Sequence, residues 1–416
     1  MLSRIFSVSI AAFILIMIDL YVYQAIKIVI IDLNPLWTKI IVWTYWGVTL
    51  LTVASLYYYN FGNPYIFGRV SRTFLLAGIF INYFSKLFAV FFLFVDDSFR
   101  FVKWIASFFN APGTTSLSEG GITRSEFLAK AAVISAAIPM ATLGFGIVSG
   151  AHDYRLRRKT IRLPNLPKAF DGVTIGQLSD LHSGSFFNKK AVKRGIELLI
   201  REKPDIFFFT GDLVNNKVGE VDDFFDIYNK VSAPLGSFSI FGNHDYGDYT
   251  SWSSPQAKQE NLKMLMEAHK LIGWDLLLDE NRRIKIGNDE IAILGCQNWG
   301  TGRFAKYGDL KKTYVGSEDA PVKLLLSHDP SHWDAQIRPE YPDIDITFAG
   351  HTHGFQMGVE IGNFRWSPSQ YLYKQWADLY REGNQYIYVN RGFGYIGYPG
   401  RLGILPEITI FELKSA

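Results

Sequence analysis

Five short stretches carry side chains able to hold metal ions. They are Ser179-Asp180-Leu181-His182, Gly211-Asp212, Gly242-Asn243-His244-Asp245, Ser327-His328-Asp329 and Gly350-His351-Thr352-His353. An Asp and a His two residues apart at a strand tip point to the same face, so both can grip one ion. Alone, D-x-H arises often by chance. Here each stretch follows a short, mostly apolar segment, where a buried strand would end, and five of the eight histidines fall inside the set.

Asp180, His182, Asp212, Asn243, His328, His351 and His353 offer carboxylate, amide and imidazole donors, with no thiolate. Such a set is too large for one tetrahedral ion. It suits two ions in five- or six-coordinate shells that share a bridging carboxylate. Nitrogen and oxygen donors favour Mn, Fe or Zn, and Mg or Ca alone would rarely recruit four histidines. The expected cofactor is therefore two divalent metal ions. Gly211, Gly242 and Gly350 recur just before ligands, which predicts sharp backbone turns at strand ends.

Read in order, D-x-H, G-D, G-N-H-D, H and G-H-T-H resemble the signature of the calcineurin-like metallophosphoesterase superfamily. Asn390-Arg391-Gly392-Phe393-Gly394, Leu405-Pro406-Glu407-Ile408 and the stretch from Leu166-Pro167 to Asp171-Gly172 are similar to its membrane-attached phosphodiesterase branch. The resemblance implies a β-sandwich flanked by helices. It implies one ion on Asp180, His182, Asp212 and His353, and a second on Asp212, Asn243, His328 and His351, with Asp212 bridging. Asn215 departs from the family pattern, in which an acidic residue often follows G-D; the departure puts no expected metal ligand in doubt.

Two cations flanking a water lower its pKa enough to give hydroxide near neutrality, so a bound phosphoester is attacked in line by a bridging hydroxide. Charge on the leaving oxygen calls for a proton. His244, beside a ligand but not itself one, is the expected general acid, and Asp245 the group expected to orient its imidazole. The activity expected is hydrolysis of a phosphodiester or pyrophosphate bond. The membrane-attached relatives include phosphodiesterases and UDP-2,3-diacylglucosamine hydrolases, which makes a lipid-linked substrate the expected partner. The alternatives are a phosphomonoesterase or protein phosphatase, and a non-catalytic metal-binding membrane protein, against which the intact His244 argues.

The elements that position these residues differ between the two ends of the chain. Of 416 residues, 48% are hydrophobic and 16% aromatic, rich for a soluble enzyme, and the excess lies in the first 150. Ile5 to Ile31, Trp37 to Tyr59, Phe74 to Val95 and Phe127 to Val148 are each long and apolar enough to cross a bilayer. Phe101 to Phe109 is too short to span and is expected to lie along the interface. Asn110 to Gly121 reads as a loop. The first span is too long for a signal peptide and shows no small-residue cleavage site. Few ionisable residues lie inside the spans, which argues against a transporter or channel.

Four spans put both termini on one side. Arg155, Arg157, Arg158, Lys159 and Arg162 follow the fourth, and the positive-inside rule leans the C-terminal domain toward the cytoplasm. Thr123-Arg124-Ser125-Glu126-Phe127-Leu128 is similar to a twin-arginine export signal whose second Arg has become Ser125, and points the other way. The chain is thus expected to be integral to the cell (inner) membrane, with a slight lean of its catalytic domain to the cytoplasmic side.

Residues 151–416 form the second domain, α/β in class. Val173 to Leu178, Ile206 to Phe209, Phe238 to Phe241, Ile291 to Cys296, Val322 to Leu326, Ile344 to Ala349 and Tyr386 to Val389 read as strands buried on both faces. Lys189 to Arg201 and Pro255 to Leu271 read as helices, which predicts a layered domain with its site at strand ends. One cysteine, Cys296, excludes an intrachain disulfide and reads as a small buried hydrophobe. A net charge of +3 gives no ground for nucleic-acid binding. His152, His269 and His332 read as solvated or packing residues. Trp366, Tyr371, Tyr373, Trp376 and Tyr380 are either a packed edge or a greasy surface facing the bilayer. Arg391 and Arg401 are either exposed structural residues or phosphate contacts.

Overall fold

The computed structural model describes residues 2–63, 66–109, 123–362 and 364–416. The chain divides into two compact units, Met1–Gly144 and Phe145–Ala416. The loop expected at 110–121 lies outside the described residues.

In the first unit, α1 (Leu2–Val29), α2 (Pro35–Phe61), α3 (Arg69–Ser107) and α4 (Arg124–Val148, ending in the second unit) are long and apolar enough to cross a membrane. Asn34 caps α2, its side chain accepting from the Leu36 N–H, with Pro35 at the first helical position, where a missing N–H costs nothing. The third span is longer than its apolar run. No Gly or Pro interrupts Val95 to Ser107, and Arg100 pairs with Asp96 and Asp97 one turn back, so 101–107 continues α3 rather than forming a separate interfacial segment. The helices are joined by polar groups that have found partners. Buried Asp19 on α1 accepts from Thr49 on α2 at 2.6 Å and from Tyr83 and Lys86 on α3 at 2.7 and 2.5 Å. A buried carboxylate without such partners would cost several kcal/mol.

The second unit is built on two six-stranded sheets. The strands are β1 (Arg155–Leu163), β2 (Thr174–Leu178), β3 (Ile206–Phe209), β4 (Ser237–Ser239), β5 (Asp275–Leu276), β6 (Glu280–Ile286), β7 (Asp289–Gly295), β8 (Lys323–Leu326), β9 (Ile346–Ala349), β10 (Val359–Ile361), β11 (Phe364–Trp366), β12 (Asp378–Glu382), β13 (Gln385–Val389) and β14 (Glu407–Ser415). One sheet runs β1-β14-β2-β3-β4-β5 and the other β12-β13-β9-β8-β7-β6, while β10 and β11 form a separate hairpin. Ile175, Phe208, Ile293, Leu324, Phe348 and Phe411 meet between the sheets. The outer face of the first sheet buries Phe207 and Phe209 against Val192, Ile196 and Leu199 of the helix Lys189–Glu202 and Leu265 of the helix Pro255–Ile272. With both faces covered, every residue of β3, β8 and β9 is buried, which is why these strands read as unbroken apolar runs.

Both flanking helices are signalled locally. Asn188 caps the first by accepting from the Ala191 N–H. Ser254 caps the second, followed by Pro255 and closed by Gly273 in the left-handed region at φ 96°. The strands β2 to β5 run parallel, as do β7, β8, β9 and β13, so their carboxyl ends gather at one edge. The five motif stretches all follow such ends.

Candidate metal centre

Each expected ligand lies two to four residues past a strand: Asp180 and His182 after β2, Asp212 after β3, Asn243 after β4, His328 after β8, and His351 and His353 after β9. Among the described residues, ten non-glycine residues have positive φ, and Asp180, His182, Asp212, His351 and His353 are five of them. Left-handed backbone costs a residue with a Cβ about 1 kcal/mol or more, and its concentration at one spot marks a functional site. The neighbouring glycines serve two purposes. Gly211 turns, at φ 96°. A Cβ on Gly242 would lie 2.3 Å from Oδ1 of Asp212, and one on Gly350 would lie 1.9 Å from Oγ of Ser179, so these two make room rather than turn.

The side chains converge in two clusters. Ligand atoms of Asp180, His182 and His353 lie within 4.8 Å of one another, as do those of Asp212, His328 and His351. Asp212 stands between them: its Oδ2 is 3.1 Å from Nε2 of His328 and 3.5 Å from Nε2 of His182. Asn243 joins the second cluster, its Oδ1 lying 2.8 Å from Nδ1 of His351. The Nε2 atoms of His182, His328 and His353 are buried without a hydrogen-bond partner of proper geometry. Three buried ring nitrogens without such partners, each facing the carboxylate of Asp212 or Asp180, are what a cation site requires, so the residues present fit divalent metal.

Outer partners aim the rings. Nδ1 of His328 donates to the Thr210 carbonyl at 2.6 Å, leaving Nε2 free as a donor to metal. Nδ1 of His182 meets Oδ1 of Asn215 at 3.1 Å, and Nε2 of His351 meets the Tyr373 hydroxyl at 2.8 Å. Arg401 places its guanidinium 3.1 Å from Nδ1 of His353. Burial brings the His182 imidazole down to about 3, against the pull of Asp212. Burial, then His182 and Arg401, hold His353 well below the usual imidazole range. Both rings are thus neutral, the form that ligates.

His244 lies at the rim, its ring 4.9 Å from that of His182. Its Nδ1 is 2.9 Å from the Asn215 carbonyl oxygen, which can only accept, so Nδ1 carries the proton and Nε2 is left to the cleft. Asp245 does not orient it, contrary to the expectation from sequence. The Asp245 carboxylate is buried and accepts the backbone N–H groups of Gly242, Asp212, Leu213 and Val214 at 2.8 to 3.2 Å. Neighbouring side chains at this turn diverge, and Asp245 clamps the Asp212 loop to the Asn243 loop instead.

Arg391 and Arg401 are fully buried rather than exposed, and their guanidinium groups are taken up by protein partners. Arg391 pairs with Glu407 and Glu360, both at 2.6 Å, and Arg401 donates to the carbonyls of Gly394 and Arg391. His269 and His332 are packing residues on Ser239 and Ser327. Of the aromatic cluster, Trp376 is buried, whereas Tyr371 is exposed. Sequence reasoning missed Asn215 as the holder of both His182 and His244, and missed Tyr249 and Phe304, whose rings stand against His244 and His351 at 4.5 and 5.0 Å. No spacing rule links either aromatic to a motif.

Comparison with known proteins agrees with this geometry. Residues 173–355 match the family model described as calcineurin-like phosphoesterase, and residues 3–151 match one described as probable calcineurin-like phosphoesterase, transmembrane domain. A metallophosphoesterase of Bacillus subtilis, YkuE, itself uncharacterized, is 31% identical over 273 residues, 64% of this chain and 87% of that protein. The chain belongs to the calcineurin-like phosphoesterase family. It is a membrane protein with a metal-dependent phosphoesterase domain. A zebrafish transmembrane protein with metallophosphoesterase domain is 26% identical over 282 residues, 65% of this chain and 60% of that one. LpxG of Chlamydia trachomatis, a UDP-2,3-diacylglucosamine pyrophosphatase, is 26% identical over 280 residues, 55% of this chain and 81% of that one.

Proposed function

We propose that this phosphoesterase holds two divalent ions and cleaves a phosphodiester or pyrophosphate bond in a lipid-linked substrate, with residues 1–150 as its membrane region and 151–416 as its catalytic domain. The observation that carries the reading is the position of Asp212 Oδ2 between His182 and His328. One ion would take Asp180, His182, Asp212 and His353, and the other Asp212, Asn243, His328 and His351. When bound, the pair supplies Lewis acidity that acidifies water and neutralises phosphoryl oxygens.

The chain's own residues do the rest. Asn215 holds His244 with Nε2 toward the cleft, where a protonated imidazole donates to the leaving oxygen. Tyr249 packs on the His244 ring and accepts from the Asn243 amide, and Phe304 stands edge-on to His351, so both flank the cleft on the side of Asn243 and His351. The lipid-linked substrate is supported by the membrane helices and by the pyrophosphatase LpxG among the relatives. The domain is assigned to the cytoplasmic face of the cell membrane on the basic run Arg155 to Arg162, a placement that a C-terminal reporter fusion tests.

The purified full-length protein loaded with Mn is expected to turn over bis-(p-nitrophenyl) phosphate faster than p-nitrophenyl phosphate. The reverse preference would make it a phosphomonoesterase, and turnover of neither would leave a binding protein.

A further inference from the structure

The β10–β11 hairpin is inside out. Its strands pair Val359 with Trp366, Glu360 with Arg365 and Ile361 with Phe364. Side chains alternate faces along a strand, so one face carries Val359, Ile361, Phe364 and Trp366, and the other Glu360 and Arg365. On a hairpin with one wet face the charged pair would meet water. Here the charges turn into the domain: Glu360 is ion-paired with Arg157 and Arg391, and Arg365 with Asp378. The apolar face is left outside, with Ile361 72% and Phe364 62% exposed. Tyr371, which accepts from Trp366 Nε1 at 3.3 Å, and Leu372 extend the patch and are 74% and 72% exposed.

The place of the hairpin in the chain says what covers that face. Its base is fastened to Leu402: the Gly358 N–H donates to the Leu402 carbonyl at 2.9 Å, and the Leu402 N–H to that of Gln356 at 2.8 Å. The preceding residue, Arg401, donates its own N–H to the carbonyl of Gly146, in the last turns of α4, at 3.1 Å. The end of a membrane-crossing helix and the base of an apolar hairpin therefore hang on two consecutive residues. We infer that the face formed by Val359, Ile361, Phe364, Trp366, Tyr371 and Leu372 is a second membrane contact, seated in the lipid interface. Large exposed aromatic and aliphatic side chains beside a membrane anchor suit that interface, where rings partition at headgroup level. Tyr373, next to Leu372, bonds His351, so the seated patch adjoins the candidate metal centre. This contact is independent of which ester is cut.

The test uses the full-length chain in nanodiscs of phosphatidylethanolamine and phosphatidylglycerol. An environment-sensitive fluorophore is attached at Phe364→Cys, at Leu372→Cys, or, as a control, at Lys285→Cys on the β6 edge. The native Cys296 is buried and does not compete for label. Blue-shifted emission at 364 and 372, quenched by lipids carrying a nitroxide on the acyl chain, with solvent-like unquenched emission at 285, is the expected result. Both variants keep the other five patch residues, so a fold lost in one leaves the second to decide. Solvent-like emission at both positions overturns the inference. So does a blue shift without nitroxide quenching accompanied by energy transfer between labelled chains, which would make the face a contact between copies.

Discussion

Nε2 of His328 lies 3.1 Å from Oδ2 of Asp212, while Nδ1 of the same ring is committed to the Thr210 carbonyl. Burial alone would lower this imidazole, but Asp212, then Asp180, hold it up at about 10. Without metal the ring therefore keeps a proton at neutral pH, and a cation must displace it. Metal uptake is expected to release about one proton at pH 7 from this ring and to strengthen as pH rises. Calorimetry in buffers of different ionisation enthalpy measures the release; an uptake independent of buffer contradicts it. In the metal-free domain the pair stabilises fully below the ordinary imidazole value of 6.5, and that stability is lost as pH rises toward 10.

Two other histidines carry the opposite sign. Burial holds His269 near 3 and His332 near 4, so the folded domain refuses protons that the unfolded chain accepts below 6.5. Their contribution is present above pH 6.5 and is lost as pH falls toward 4, at about 1 kcal/mol per histidine per pH unit. Melting midpoints at pH 7 and pH 5 should differ, and His332→Gln should flatten the difference. An unchanged slope in that variant would assign the acid lability elsewhere.

Asn215 reaches His182 through its side chain and His244 through its carbonyl. In Asn215→Ala the carbonyl remains, so His244 keeps its partner and His182 loses one. Metal affinity is expected to fall about 10- to 100-fold, as for other partners of ligating histidines. At saturating metal kcat should recover, whereas His244→Ala should lose about 100-fold or more in kcat at unchanged metal content. Metal analysis beside kinetics separates the two.

Asp245 is placed to fail differently. Removing an acceptor of four buried N–H groups leaves donors unpaired, at about 1–3 kcal/mol for each one left so. Asp245→Ala should therefore lower the thermal midpoint and metal binding together. A variant with normal stability and only a changed dependence on leaving group would return Asp245 to the role of orienting His244.

The convergence of the candidate ligands was legible in the sequence because each follows an apolar run buried on both faces, and a buried parallel strand advertises its own end. Strands β3, β8 and β9 and both flanking helices were visible for the same reason, through local periodicity and caps such as Asn188 and Ser254. What escaped was set by chain segments far apart. Asp245 is turned away from its neighbour by the Asp212 loop, 33 positions earlier, whose N–H groups need an acceptor. Arg401 looked like a surface arginine until its guanidinium met carbonyls brought up by Gly392 and Gly394. The extension of α3 past Val95 was hidden because charged residues break an apolar run without breaking a helix.

The proposed sharing of Asp212 between two cations is tested most directly by counting metal in the full-length protein and in Asp212→Asn, each equilibrated with Mn and freed of excess. A pair of ions per chain in the parent protein, with both lost or greatly weakened in the variant and turnover lost with them, is the expected result. A single ion per chain, or a pair that Asp212→Asn leaves in place, would contradict it.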